Sequence, residues 1–95
     1  MNPTYCIRAK VHGRVQGVAF RSYTRQAAVE LGLSGWVRNC SDGTVEVLAE
    51  GERMIVEQFI NWLHVGSPFS QVSKVEYNDQ TATGEFDSFE IRFSG

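Results

Sequence analysis

The chain has 95 residues, 42% hydrophobic and 21% charged, with a formal net charge of −2. That length holds one hydrophobic core, and so ordinary a composition excludes a disordered chain. No apolar run nears the ~20 residues of a membrane span, the start Met1-Asn2-Pro3-Thr4 lacks the basic, hydrophobic pattern of a leader, and the slightly acidic total argues against a protein that coats nucleic acid.

The charge is unevenly spread. Residues 1–40 carry six basic side chains against Glu30 alone, whereas residues 41–95 carry three against ten acids. A small anion site in the basic first half is compatible with that asymmetry. Taken in chain order, Tyr5–His12 alternates, with Tyr5, Ile7, Ala9 and Val11 on one face and Cys6, Arg8, Lys10 and His12 on the other. Period-two alternation predicts a half-buried strand. Gly13-Arg14-Val15-Gln16-Gly17 breaks it and reads as a loop. From about Arg21 the spacing turns helical, with Phe20, Ala27, Ala28 and Leu31 on one face, Ser22 or Thr24 available to the first turn, and Gly32 as the stop.

A second strand is predicted at about Ser34–Asn39. Ser41-Asp42-Gly43 is a turn signal, and Thr44–Glu50 alternates again with Val45, Val47 and Ala49 inward, which makes a hairpin ended by Gly51. A second helix is expected from about Glu52 to Val65, with Ile55, Phe59, Trp62 and Leu63 on its apolar side and Gly66 and Pro68 ending it. Strand-like segments follow at Val72–Asn78 and Ser88–Phe93, and the polar stretch Asp79–Asp87 between them is expected to loop outward. The order β-α-β-β-α-β plus one short strand predicts an α+β, ferredoxin-like split βαβ sandwich, an antiparallel sheet with two helices on one face. In that topology the first two strands run parallel with the third between them. The loop after His12, the start of the first helix and Asn39 then share one end of the sheet.

That convergence points to oxyanion chemistry. Gly13, Arg14, Val15, Gln16, Gly17 and Val18 form a candidate phosphate-binding loop, because two glycines permit backbone angles that turn successive N–H groups inward. A helix N-terminus adds unpaired donors, and Arg21 offers two parallel hydrogen bonds to a phosphate. By spacing alone, a tight strand-to-helix turn with an exposed arginine fits equally well. The loop is no Walker motif, since no Lys-Ser/Thr follows Gly17. Val15 stands six positions before Arg21, where a cysteine-dependent phosphatase needs its cysteine.

The run Gly13-Arg-Val-Gln-Gly-Val-Ala-Phe-Arg21, followed by Gly35-Trp-Val-Arg-Asn39, Gly43-Thr-Val-Glu-Val47 and Gly51, closely resembles the acylphosphatase family, and the likeness continues through Ser70–Val75 to Phe89–Phe93. The resemblance implies one acylphosphatase-like domain over residues 1–95 that hydrolyses the carboxyl-phosphate bond of small acyl phosphates to a carboxylate and inorganic phosphate. It implies Arg21 as the phosphate-gripping arginine and Asn39 as the residue that orients water, with no cofactor, no metal and no covalent intermediate. The alternative reading is a non-catalytic module that binds anions or acyl phosphates.

Other residues carry plainer expectations. His12 reads as an outward strand residue and His64 as a favourable group at a helix C-terminus. The two His and two Cys are scattered without paired ligand spacing, so no metal site is expected. Cys6 and Cys40 fall at opposite ends of parallel strands, too far apart for a disulfide, and two free thiols suit a reducing cytoplasm. Arg8 and Lys10 are expected opposite Glu46 and Glu50. Trp36 and Trp62 are assigned to the core or its margin. A monomer is expected, with a small acyl phosphate and inorganic phosphate as its only partners and neither nucleic acid nor membrane among them.

Overall fold

The computed structural model describes residues 4–93, so Met1–Pro3, read above for a leader, lie outside the described residues. The elements are β1 (Thr4–Arg14), α1 (Phe20–Glu30), β2 (Ser34–Asn39), β3 (Val45–Glu52), α2 (Arg53–Val65), β4 (Gln71–Gln80) and β5 (Phe89–Arg92). The strands form one sheet in the order β4-β1-β3-β2-β5. β3 pairs antiparallel with both β1 and β2, so β1 and β2 run in the same direction with their C-terminal ends together. The sheet is not wholly antiparallel, however: β5 joins β2 in parallel, Gly35 to Phe89 through Arg38 to Arg92.

Alternation decides which face is buried. Ile7, Ala9 and Val11 of β1, Val45, Val47 and Ala49 of β3, Val37 of β2 and Phe89 of β5 meet the two helices. The helices supply Phe20 and Ala28 from α1 and Val56, Phe59, Ile60 and Leu63 from α2. On α2 the buried stripe is turned slightly from the expected one: Ile55 and Trp62 pack at the core margin, and Val56 and Ile60 point inward. Trp62 bridges the helices, stacked on Phe59 with centroids 6.2 Å apart and tilted against Phe20 at 6.0 Å. Thr24, read as a helper of the first turn, instead lies buried in the Phe20–Thr24–Ala28 stripe.

Three differences come from long-range geometry. β1 runs two residues past His12, because a bulge between His12 and Gly13 lets the ladder with β4 continue through Gly13–Val72 and Arg14–Gln71. Gly13 is needed there: its φ is 120°, and a Cβ would collide with the Gln71 carbonyl oxygen. Gly51 does not end β3 but pairs with Tyr5. Finally, β4 and β5 occupy opposite edges of the sheet, so the connection between them must cross it. The helices fill one face, and the connection passes the other, where the Gly84 N–H donates to Glu50 Oε1 at 2.8 Å.

That second face is therefore not simply polar and wet. Cys6, Trp36 and Glu50 are 2%, 4% and 4% exposed. The Arg8, Arg38 and Arg92 guanidinium carbons lie 5.5, 4.9 and 5.1 Å from the Trp36 ring centroid. Trp36 thus belongs to the sheet face away from the helices. Arg8 pairs with Glu46 at 2.8 Å as expected, but Lys10 reaches Asp42 at 3.2 Å, Arg38 also grips Glu46, and Glu50 has no basic partner among the described residues. His12 lies 2.7 Å from Glu76, a strand-surface pair.

Candidate active site

Because β1 and β2 end together and α1 starts between them, the loop Val15–Ala19, the first turn of α1 and Asn39 converge. They line a hollow of about 290 Å³ whose walls are Val15, Gly17, Ala19, Phe20, Arg21, Ser22, Asn39, Ile91 and Phe93. No carboxylate or imidazole is among those walls.

The loop backbone alternates in hand. Gly17 has φ 73° and Ala19 φ 57°, and Ala19 is the one non-glycine residue with positive φ among the described residues, so Val18 between them is on the negative side. Such alternation turns consecutive amide N–H groups toward one side of the chain. Ala19 is also the N-cap of α1 and makes no side-chain cap. The first N–H groups of the helix accordingly lack an intrahelical acceptor. The Ala19 carbonyl takes the Tyr23 N–H at 3.1 Å, which starts the helix.

Arg21 sits in that first turn, half-buried, with its guanidinium carbon 5.8 Å from the Phe93 ring centroid. Among the described residues no carboxylate pairs with it. Asn39 ends β2 and lines the same hollow, and its Oδ1 is buried without a hydrogen-bond donor. An orphaned buried acceptor costs about 1–3 kcal/mol unless something donates to it.

Gln16 does not line the hollow but braces it. Its Nε2 donates to the Cys40 and Thr44 carbonyls, each at 2.8 Å. The loop is thereby bonded to the turn that follows Asn39. On the other side, Ser67 Oγ donates to the Val18 carbonyl at 3.3 Å. The turn itself is held by Asp42, whose Oδ1 accepts the Thr44 N–H at 3.0 Å and the Thr44 hydroxyl at 2.5 Å. Those two bonds, helped by Lys10, pull the Asp42 carboxyl down to about 2.

The acylphosphatase family model matches residues 7–91. The chain belongs to the acylphosphatase family. It is 51% identical over 86 residues to an acylphosphatase of Acaryochloris marina, covering 90% of this chain and 91% of that protein. It is 49% identical to one of Pelotomaculum thermopropionicum, covering 90% and 98%. The solved structure of an acylphosphatase from Coxiella burnetii superposes with a TM-score of 0.89 at 40% identity, covering 94% of this chain and 93% of that one. The acylphosphatase reaction takes an acyl phosphate and returns inorganic phosphate.

Of the acylphosphatase residues expected from sequence, Arg21, Asn39, Val15 and Gly17 line the hollow. Gln16 and Val18 belong to the loop without lining it. Gly13 and Arg14 stand apart, in the β1–β4 ladder beside Val72 and Gln71. Ala19, Ser22, Ile91 and Phe93 line the hollow without having been singled out. Phe93 had a readable signal, since Phe89, Ile91 and Phe93 alternate in step; left-handed Ala19 had none. Among the described residues no three His, Cys, Asp or Glu side chains are grouped to hold a metal ion.

Proposed function

We propose that the Val15–Ala19 backbone and Arg21 hold the phosphoryl group of an acyl phosphate while Asn39 holds the attacking water. The observation that carries this reading is that Arg21 and Asn39, from different elements, line the same hollow beside the loop. A water hydrogen-bonded to the carboxamide where it lines the hollow keeps a lone pair free for phosphorus. The carboxamide is no base near neutral pH, so Asn39 works by position.

Water attacks phosphorus in line as the acyl C–O–P bridge opens at the O–P bond, and that electron pair leaves with the carboxylate. One water proton passes to a phosphoryl oxygen of the substrate, because no carboxylate or imidazole lines the hollow to receive it. Acyl phosphate dianion and water thus become a carboxylate and dihydrogen phosphate, with charge conserved. A carboxylate is a good leaving group, so positioning and charge stabilisation suffice. Ser22 at the rim lacks the adjacent base that would make it a nucleophile. The loop amides and Arg21 meet the phosphoryl oxygens before and during transfer. This reading takes residues 1–95 as one domain acting as a cytoplasmic monomer, in keeping with its two free thiols.

Steady release of phosphate from benzoyl phosphate with chelator present tests the reading. Arg21→Ala is expected to weaken inhibition by inorganic phosphate and to lower the rate together. Asn39→Ala is expected to lower kcat by about 100-fold or more, as loss of one positioning group typically does, while phosphate still competes. An Asn39→Ala protein with near-normal kcat would defeat the water-holding role.

A further inference from the structure

The phosphate chemistry leaves one part of the hollow unexplained. The loop and Arg21 serve the phosphoryl group and Asn39 the water, yet four walls are apolar side chains: Val15, Phe20, Ile91 and Phe93. Val15 and Phe20 are each 1% exposed and belong to the core. Ile91 is half-buried, and Phe93 is 84% exposed. Apart from the exposed Ala19 methyl, which belongs to the loop itself, only these last two present apolar surface that an acyl group could cover.

Their position follows from the sheet. β5 pairs in parallel with β2, with Val37 beside Ile91 and Arg38 beside Arg92. One residue further on, Asn39 is still paired with Val45 of β3 while Phe93 lies just past the end of β5, and both line the hollow. Phe89, Ile91 and Phe93 alternate onto one side of β5, while Arg92 points to the other and covers Trp36. An exposed phenyl ring thus stands next to the reacting centre.

Resting on the site proposed above, we infer that Ile91 and Phe93 form the acyl-facing wall, which selects acyl phosphates with flat, apolar acyl groups, aromatic ones above all, over small acyl groups. Ring-on-ring contact adds to the gain from area removed from water. The contact forms with the substrate's leaving half, so it discriminates between acyl groups and not between phosphates.

The test is the kcat/KM for benzoyl phosphate and for acetyl phosphate, measured on the parent, Phe93→Ala and Phe93→Leu. The two substrates differ in intrinsic reactivity, but that difference cancels when each variant's benzoyl-to-acetyl ratio is divided by the parent's. Phe93→Ala is expected to lower the ratio about 10-fold, and Phe93→Leu to restore part of it. The ring's exposure means that its removal spares the fold, which a thermal melt verifies. An unchanged ratio overturns the inference. So does an equal loss on both substrates, which would mean that the ring acts through Arg21. A parent protein that releases phosphate from neither substrate defeats the site reading itself, a result distinct from either.

Discussion

Gly17 and Ala19 hold the two left-handed turns of the loop at different cost. Glycine adopts such angles freely, whereas alanine pays about 1–2 kcal/mol through its Cβ and the carbonyl oxygen. Around Gly17 a Cβ would meet nothing within 4 Å. Gly17→Ala is therefore a purely conformational change. It is expected to destabilise the protein by about 1–2 kcal/mol and to weaken inhibition by phosphate. Ala19→Gly relieves the same strain but adds unfolded-state freedom worth about 0.5–1 kcal/mol, so its stability should lie within about 1 kcal/mol of the parent. Urea unfolding of both variants checks this. Full stability in Gly17→Ala would show that the loop does not require a positive φ at that position. Arg21, Asn39 and Gly17 were legible in the sequence because their side chains, or the lack of one, name their chemistry. Ala19 was not, since nothing about an alanine announces a strained backbone.

The hairpin from β2 to β3 has two tasks, carrying Asn39 at its start and receiving Gln16 from the loop. Its turn depends on Asp42, whose carboxyl lies at about 2 in the folded protein against the ordinary 3.8, through the Thr44 hydroxyl and N–H bonds and then Lys10. A carboxyl lowered by folding contributes stability at pH above 3.8, and that contribution is lost as the pH falls through 3.8 toward 2. Glu76, lowered by its His12 bond and by Lys74, and Glu46, where the Arg8 and Arg38 bonds outweigh burial, act in the same direction. Asp42→Asn is expected to be less stable than the parent at pH 6 and to lose less on acidification. Melting curves from pH 6 to pH 2 measure both effects, and parallel curves would remove Asp42 from the acid transition. The hairpin was legible in detail because Ser41-Asp42-Gly43 separates two alternating runs, and β2 has the expected limits. β1, β3 and β4 run longer than their patterns suggest. Their extra residues are fixed by ladder partners far along the chain, and β4 has one wholly open edge with little alternation to read.

At the scale of the whole molecule, the parallel relation of β1 and β2 brought the site residues together, and the element order alone foretold it. The connection over the far face could not be foretold in the same way. Asp79–Asp87 is polar and reads as a solvent loop until β4 and β5 are known to lie at opposite edges, which obliges the chain between them to cross. The crossing has a chemical consequence at Cys6, which alternation assigns to the wet face. Burial, and after it the Glu50 charge, push this thiol up to about 11. At pH 8 only about one molecule in a thousand then carries the Cys6 thiolate, the form that reacts. Cys40, just beyond Asn39, is by contrast partly exposed. A disulfide reagent at pH 8 is therefore expected to titrate one thiol quickly in the folded protein and two in denaturant. Cys40→Ser should leave only the slow thiol, and Cys6→Ser only the fast one. Two fast thiols in the folded parent would mean that the segment anchored by Gly84 on Glu50 opens readily, and that the far face is accessible to solvent after all.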